Sequence, residues 1–279
     1  MKRLGGLALL LWLAPLSIGC VPRITTLGKT TPDKMPNKVE DLIKIADETL
    51  VKANANSYPT TSEMEDALTA LQKAQALDPQ SYEAAWKAAR LCAWLADDQY
   101  DDKSKRANFS SHGADYAKAA VKLNPKGVEG HYYSGIDQGF SATTKLVGAK
   151  FMVPAVRDAW KRAMQIDASY DHGGPPRSLG ALYAEAPPWP ASIGDPDKGV
   201  ELLQLALKTP QGADWPLNDL LLGNALVKAE KYDEAKQHYQ RVLAAQPTPE
   251  DAHFLPKWQH KAKKGIDDAA KAAASGGAS

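Results

Sequence analysis

Twice along this chain a stretch of helical periodicity stops at an acid- or amide-proline pair, with the same spacing of small residues before each stop. Ala67, Leu71 and Ala74 precede Asp78-Pro79, and Gly113, Ala117 and Ala120 precede Asn124-Pro125. A weaker copy runs through Val156, Trp160 and Ala163 to Asp167. Another is spread over Leu179-Gly180, Tyr183, Gly199, Leu203 and Ala206 with an insertion inside it. The clearest unit is Pro216 to Pro247, with Leu222-Gly223, Leu226, Tyr232, Ala235 and Tyr239. A short unit repeated in this way cannot bury its apolar face alone, and stacking its copies produces one continuous core. From Lys38 onward apolar residues recur every three or four positions, and no run alternates as a half-buried strand does. Val and Ile are sparse, which also disfavours a sheet. A non-repetitive helical bundle is the alternative, but it leaves the agreement between stops and small-residue spacing unexplained.

The pattern resembles the tetratricopeptide repeat, a helix pair of about 34 residues. Small Gly223 and Ala235 allow close approach, Leu222, Leu226 and Tyr239 fill the groove, and Pro247 ends the second helix. The fold expected is therefore all-α: a tetratricopeptide-repeat-like α-solenoid of about five degenerate helix pairs, over residues 38–265. Residues 20–37 read as a tether and 266–279 as a flexible tail rich in Ala, Gly and Ser. Three insertions interrupt the array: Asp97 to Ser111, Lys145 to Phe151, and Ala186 to Pro196. Long loops inside a compact array are commonly functional.

The chain opens with MKRLGGLALLLWLAPLSIGC. Lys2 and Arg3 supply a positive start, and Leu4 to Leu16 is apolar but too short to span as a stable helix. Ser17-Ile18-Gly19 ahead of Cys20 resembles the bacterial lipobox, although Ser17 stands where that motif usually has Leu. The resemblance implies a signal peptide over 1–19, cleavage before Cys20 and acylation of Cys20. Several acyl chains would anchor the protein stably to a membrane, facing the periplasm. Val21 is not the Asp that retains such proteins at the inner membrane in enteric-type sorting, so the outer membrane is the expected leaflet.

Charge and side-chain chemistry exclude more than they offer. The chain has 34 Lys and Arg against 33 Asp and Glu, and loss of Lys2 and Arg3 leaves 32 basic residues. That balance argues against nucleic acid, which needs a basic surplus. Lys257, Lys261, Lys263 and Lys264 read as a solvated helix face. With Cys20 acylated, Cys92 has no partner, and its Ala-rich helical surroundings suggest a buried core thiol. None of the six histidines forms a metal-binding pair, and no phosphate-cradling loop or nucleophile elbow exists. Asp171-His172 precedes Gly173-Gly174-Pro175-Pro176, which is turn and helix-start chemistry. No catalytic residue, metal site or cofactor is expected.

Aromatics are the remaining resource. Most of those between Trp86 and Trp189 are expected to pack between helices. The helix around His131-Tyr132-Tyr133 differs, because Ser134, Gly135 and Gly139 leave space beside Tyr133 and Phe140. Glycine in a helix costs about 1 kcal/mol against alanine, so either a close helix contact or room for a ligand should repay it. The segment Ala186-Pro187-Pro188-Trp189-Pro190 carries one large aromatic on a proline-stiffened loop, which can hold Trp189 at low entropic cost.

Tyr170-Asp171-His172-Gly173-Gly174-Pro175, Leu179-Gly180-Ala181-Leu182-Tyr183 and Ala186 to Asp195 together resemble the T-component lipoproteins (TatT) associated with TRAP transporters. The His131-Tyr132-Tyr133 helix and the lipobox fit the same family. The resemblance implies an all-helical, non-catalytic lipoprotein with cryptic tetratricopeptide repeats. It implies two partners, the periplasmic substrate-binding P-component of the transporter and a hydrophobic or amphipathic organic ligand held in an apolar cleft. Family members can form trimers. The expected ligand site is an apolar cavity bordered by Tyr133, Phe140 and Tyr183 and capped by Trp189. The alternative is a repeat scaffold that assembles an envelope protein complex.

Overall fold

The computed structural model describes residues 28–52, 58–98, 101–145 and 148–276. The expected signal peptide and Cys20 lie outside these residues. After a 3-10 turn at Pro32–Lys34 come α1 (Val39–Lys52), α2 (Thr61–Leu77), α3 (Tyr82–Asp98), α4 (Lys103–Leu123), α5 (Val128–Thr144) and α6 (Ala149–Ile166). They are followed by α7 (Tyr170–Glu185), α8 (Pro196–Leu207), α9 (Pro216–Lys228), α10 (Tyr232–Ala244) and α11 (Leu255–Gly276). No β-strand occurs among the described residues; Pro188 and Gly194 form an isolated bridge.

Local chemistry places the helix ends. Thr60 and Glu63 form a reciprocal capping box at the start of α2, and the Asp102 carboxylate accepts from Ser104 and Lys105 N–H at the start of α4. The stops of α2, α4 and α6 share one device. The Asp78, Asn124 and Asp167 side-chain oxygens each accept from the N–H two residues on, at 2.9, 3.2 and 2.8 Å. This is an Asx turn, which offers the chain a way out of the helix. It needs no proline, which explains why the third stop works without one.

The helices pack in antiparallel succession as five pairs, α1–α2 through α9–α10, and α11 closes the array against α9 and α10. Glycines sit where pairs cross most closely. A Cβ on Gly180 would meet Leu203 and the Gly199 carbonyl, and one on Gly223 would meet the Tyr239 ring. Ala235 is fully buried in the same α9–α10 contact. One core runs from α1 into α7, and a second from the end of α7 to α11. Cys92 is buried in the first, and burial pushes its thiol pKa well up.

Several expected boundaries shift. Residues 28–37 are docked rather than a free tether: Lys73 Nζ donates to the Pro32 and Met35 carbonyls at 2.9 Å, and Met35 is buried. The acidic insertion at Asp97 to Ser111 begins in the last turn of α3, and from Lys103 on it forms the first turns of α4. The segment from 266 is helical to Gly276, because Ala269 is buried and Ile266 packs on the second core. The ends of the array also meet. Tyr58, just before α2, stacks on His253 at 3.9 Å and 7° and meets Phe254 edge-on at 5.2 Å.

Candidate functional site

Inside the curve of the array lies a cavity of about 370 Å³, walled by α3, α5, the start of α7, and residues at and just before α9 and α11. The helices facing it are the first members of their pairs. From α3 come Arg90, Trp94 and Asp97, at positions i, i+4 and i+7 of one helical face. From α5 come Tyr133, Ile136 and Phe140, again one face. Trp215, Phe254 and Trp258 complete the aromatic wall, with Trp215 and Trp258 edge-to-face at 5.5 Å and Phe254 stacked on Trp258 at 5.7 Å. The volume lies at the small end of the range for organic ligand sites, and the mix of aromatic surface with a few polar groups is typical of them.

The floor is set by an unusual turn. Asp171, His172 and Gly173 all adopt left-handed backbone conformations, with φ of 51°, 57° and 76°. Two of these are not glycine, at a cost of order 1 kcal/mol each, so the surroundings must hold them. Arg177 does so. Its Nη1 donates to the Asp171 and His172 carbonyls at 3.0 and 3.2 Å, and its Nη2 donates to the Asp171 carboxylate at 2.8 Å. The Tyr132 hydroxyl donates to the same carboxylate oxygen at 2.7 Å, and Asn218 Nδ2 donates to the His172 carbonyl at 2.9 Å. Burial opposes the Asp171 charge, but Arg177 and the Tyr132 hydroxyl outweigh it and hold the carboxyl below its ordinary value. Asp171 is thus an ion-pair partner, and its carboxylate is spent on side chains rather than on capping the helix that follows. His172 stacks on Trp215 at 4.0 Å and 8°, with its Nε2 3.2 Å from Glu250.

Of the four residues expected at a ligand site, the structure brings two together. Tyr133 and Phe140 line the cavity. Tyr183 does not: it is buried in the first core beneath Lys198, whose Nζ lies 4.3 Å from its ring centroid. Trp189 does not cap the cavity either, and is 85 % exposed. The loop is held as its prolines suggested. Gly194 N–H donates to the Pro187 carbonyl at 2.9 Å, and Asp195 N–H to the Tyr183 carbonyl at 2.8 Å. Those bonds fasten it to the C-terminal end of α7, whereas the cavity borders the N-terminal turn of that helix. The α5 glycine also has a different reason from ligand space. A Cβ on Gly135 would strike the Trp160 indole, whose Nε1 donates to the Tyr132 carbonyl at 3.2 Å, so Gly135 serves the α5–α6 contact.

Sequence reasoning missed Arg90, Asp97, Arg177, Trp215, Phe254 and Trp258 as cavity residues. For the α3 trio the signal was present, because Arg90, Trp94 and Asp97 share a face. Among the described residues, no cluster of three His, Cys, Asp or Glu side chains is placed to hold a metal ion. No described helix is long and apolar enough to cross a membrane.

The architecture matches solved structures. A thermophilic TPR protein from Thermus thermophilus superposes with a TM-score of 0.59 at 17% identity, over 80% of this chain and 98% of the other. PilF of Pseudomonas aeruginosa superposes with a TM-score of 0.51 at 16% identity, over 84% and 88%. The fold is a tetratricopeptide-repeat-like solenoid. A family model described as regulator of microtubule dynamics protein 1-3 matches residues 50–153, the stretch that carries α2 to α5. No curated protein matches the chain by sequence.

Proposed function

We propose that this chain is a non-catalytic, lipid-anchored repeat protein, facing the periplasm, that binds an amphipathic organic molecule within its curve. Its setting is that of a T-component working with the P-component of a TRAP-type transporter. The observation that carries the ligand reading is the cavity. Aromatic side chains from five separate parts of the chain converge on one space of about 370 Å³, and the ends of the array meet beside it. The sequence resemblance, with its lipobox at Cys20, supports the anchor and the transporter setting. Among the described residues the cavity's Tyr132–Asp171–Arg177 constellation is spent on holding a turn, and its His172–Glu250 pair is packed against Trp215.

A second reading, a scaffold for an envelope protein complex, is favoured by the likeness to tetratricopeptide-repeat folds and by Trp189 and Phe151, which are 85 % and 76 % exposed. Titration with 4-phenylbutyrate separates the two. Trp94, Trp215 and Trp258 border the cavity, so ligand entry changes intrinsic fluorescence saturably. Emission that stays flat across the titration would put the scaffold ahead.

A further inference from the structure

The charged groups of the cavity are not equally engaged. Arg177 spends both Nη atoms on the 171–172 turn, on Asn218 and on Tyr132. Asp171 is taken by Arg177 and Tyr132, and Glu250 by His172. Asp47 and Glu83, which border a smaller depression on the other side of Arg90, are both bound to Lys87. Two charges remain. The Arg90 guanidinium lies over the Trp94 ring at 4.7 Å, its Nε is buried, and no described residue accepts a hydrogen bond from it. Asp97 makes no ion pair or hydrogen bond among the described residues, and its charge acts on Tyr58.

A guanidinium cannot shed its proton to escape burial, so an unpaired one is costly unless a partner arrives. Its planar fork matches a carboxylate in a bidentate pair. Arg90 and Asp97 are seven residues apart on one face of α3, about 10 Å along the axis. Trp94 lies between them, and Phe140 stands on the facing helix.

We infer that Arg90 receives the acid group of the bound molecule and that Asp97 forms the opposite pole, so the cavity selects amphipathic monocarboxylates and rejects dianions of the same length. This rests on the cavity being a ligand site. The apolar body of the ligand lies along Trp94 and Phe140, and its far end, near Asp97 and Tyr58, is neutral or cationic.

Isothermal titration of the full-length protein with octanoate, octan-1-ol and suberate tests it, with Arg90→Met and Asp97→Asn beside the parent. Octanoate is expected to bind the parent about tenfold to a hundredfold more tightly than the alcohol, the effect of a charge-assisted pair. Arg90→Met should bring octanoate down to the level of the alcohol measured on the same variant. Suberate should bind the parent poorly and gain about five- to tenfold in Asp97→Asn. Equal binding of acid and alcohol to the parent, a comparison that needs no variant, overturns the role of Arg90 while leaving the cavity a ligand site. Suberate binding the parent as tightly as octanoate overturns the role of Asp97. Failure of all three compounds to bind removes the cavity reading itself, and this inference with it.

Discussion

Helix α5 and the loop from Ala186 to Pro196 are both rich in features that suggest a binding wall, and the structure sends them opposite ways. On α5, Tyr133 is buried and Phe140 stands half-buried at the cavity. On the loop, Trp189 is held in place but faces solvent. The difference is one of encoding. The faces of a helix follow from its period, and its neighbours are fixed by which stripe is apolar. A stiff loop encodes rigidity without direction, because its orientation is set by whatever its backbone ties to. Here the tie is to the Tyr183 carbonyl, at the end of α7 remote from the cavity.

If α5 is dictated by its contacts, its small residues should be the least replaceable. Gly135→Leu drives a side chain into the Trp160 indole and should cost about 3 kcal/mol or more, the upper part of the overpacking range. A chemical denaturation series would show it, and an unchanged midpoint would mean that the α5–α6 contact is looser than drawn.

Asp137 sharpens the same point. It is fully buried on α5, with neither carboxylate oxygen hydrogen-bonded, in space made by Gly113. Burial raises its pKa well above 3.8. The folded state therefore keeps a proton that the unfolded state releases. The contribution of Asp137 to stability is greatest below about pH 4 and falls as pH rises from there toward the raised value, opposite in sign to that of Asp171, whose carboxyl is held low. Asp137→Asn should abolish that decline and stabilise the protein at pH 7. Unfolding midpoints at pH 4, 5.5 and 7 for the two proteins measure it, and parallel profiles would show that Asp137 is paired or hydrated.

The smallest effects belong to the contrast itself. Trp189→Ala should change stability by no more than about 0.5 kcal/mol and leave binding of 4-phenylbutyrate unaltered. Phe140→Ala should weaken that binding. If Trp189→Ala is the variant that loses it, the loop closes over the cavity in solution and the contrast collapses.

The helix pairs were legible because their signals are local. Asx stops, alanine spacing and Gly223 facing Tyr239 each act within about one repeat. Half of the expected site was legible for the same reason, since Tyr133 and Phe140 share a helical face. The rest was set by tertiary geometry. Trp215, Phe254 and Trp258 reach the cavity because the array curves, and curvature accumulates over many helix crossings that no short window contains. The turn at Asp171 was legible but its ion pair was not, because Arg177 lies across a left-handed turn that brings the two together.

The contact of Tyr58 with His253 and Phe254 has a bearing on how this molecule comes apart. An ordinary repeat array has two free termini, and its outermost units open first, in small steps that leave the middle intact. Here the segments leading into α2 and into α11 are joined, so those two segments cannot separate without breaking the aromatic stack. Amide exchange should then report near-equal protection in α2 and α11 rather than a gradient falling toward the ends. A contact between segments so distant in sequence also makes completion of the ring a slow, late event in folding. A molecule inside the curve thus lies beside an aromatic clasp between the two ends, and its exchange with solvent is tied to how often that clasp opens.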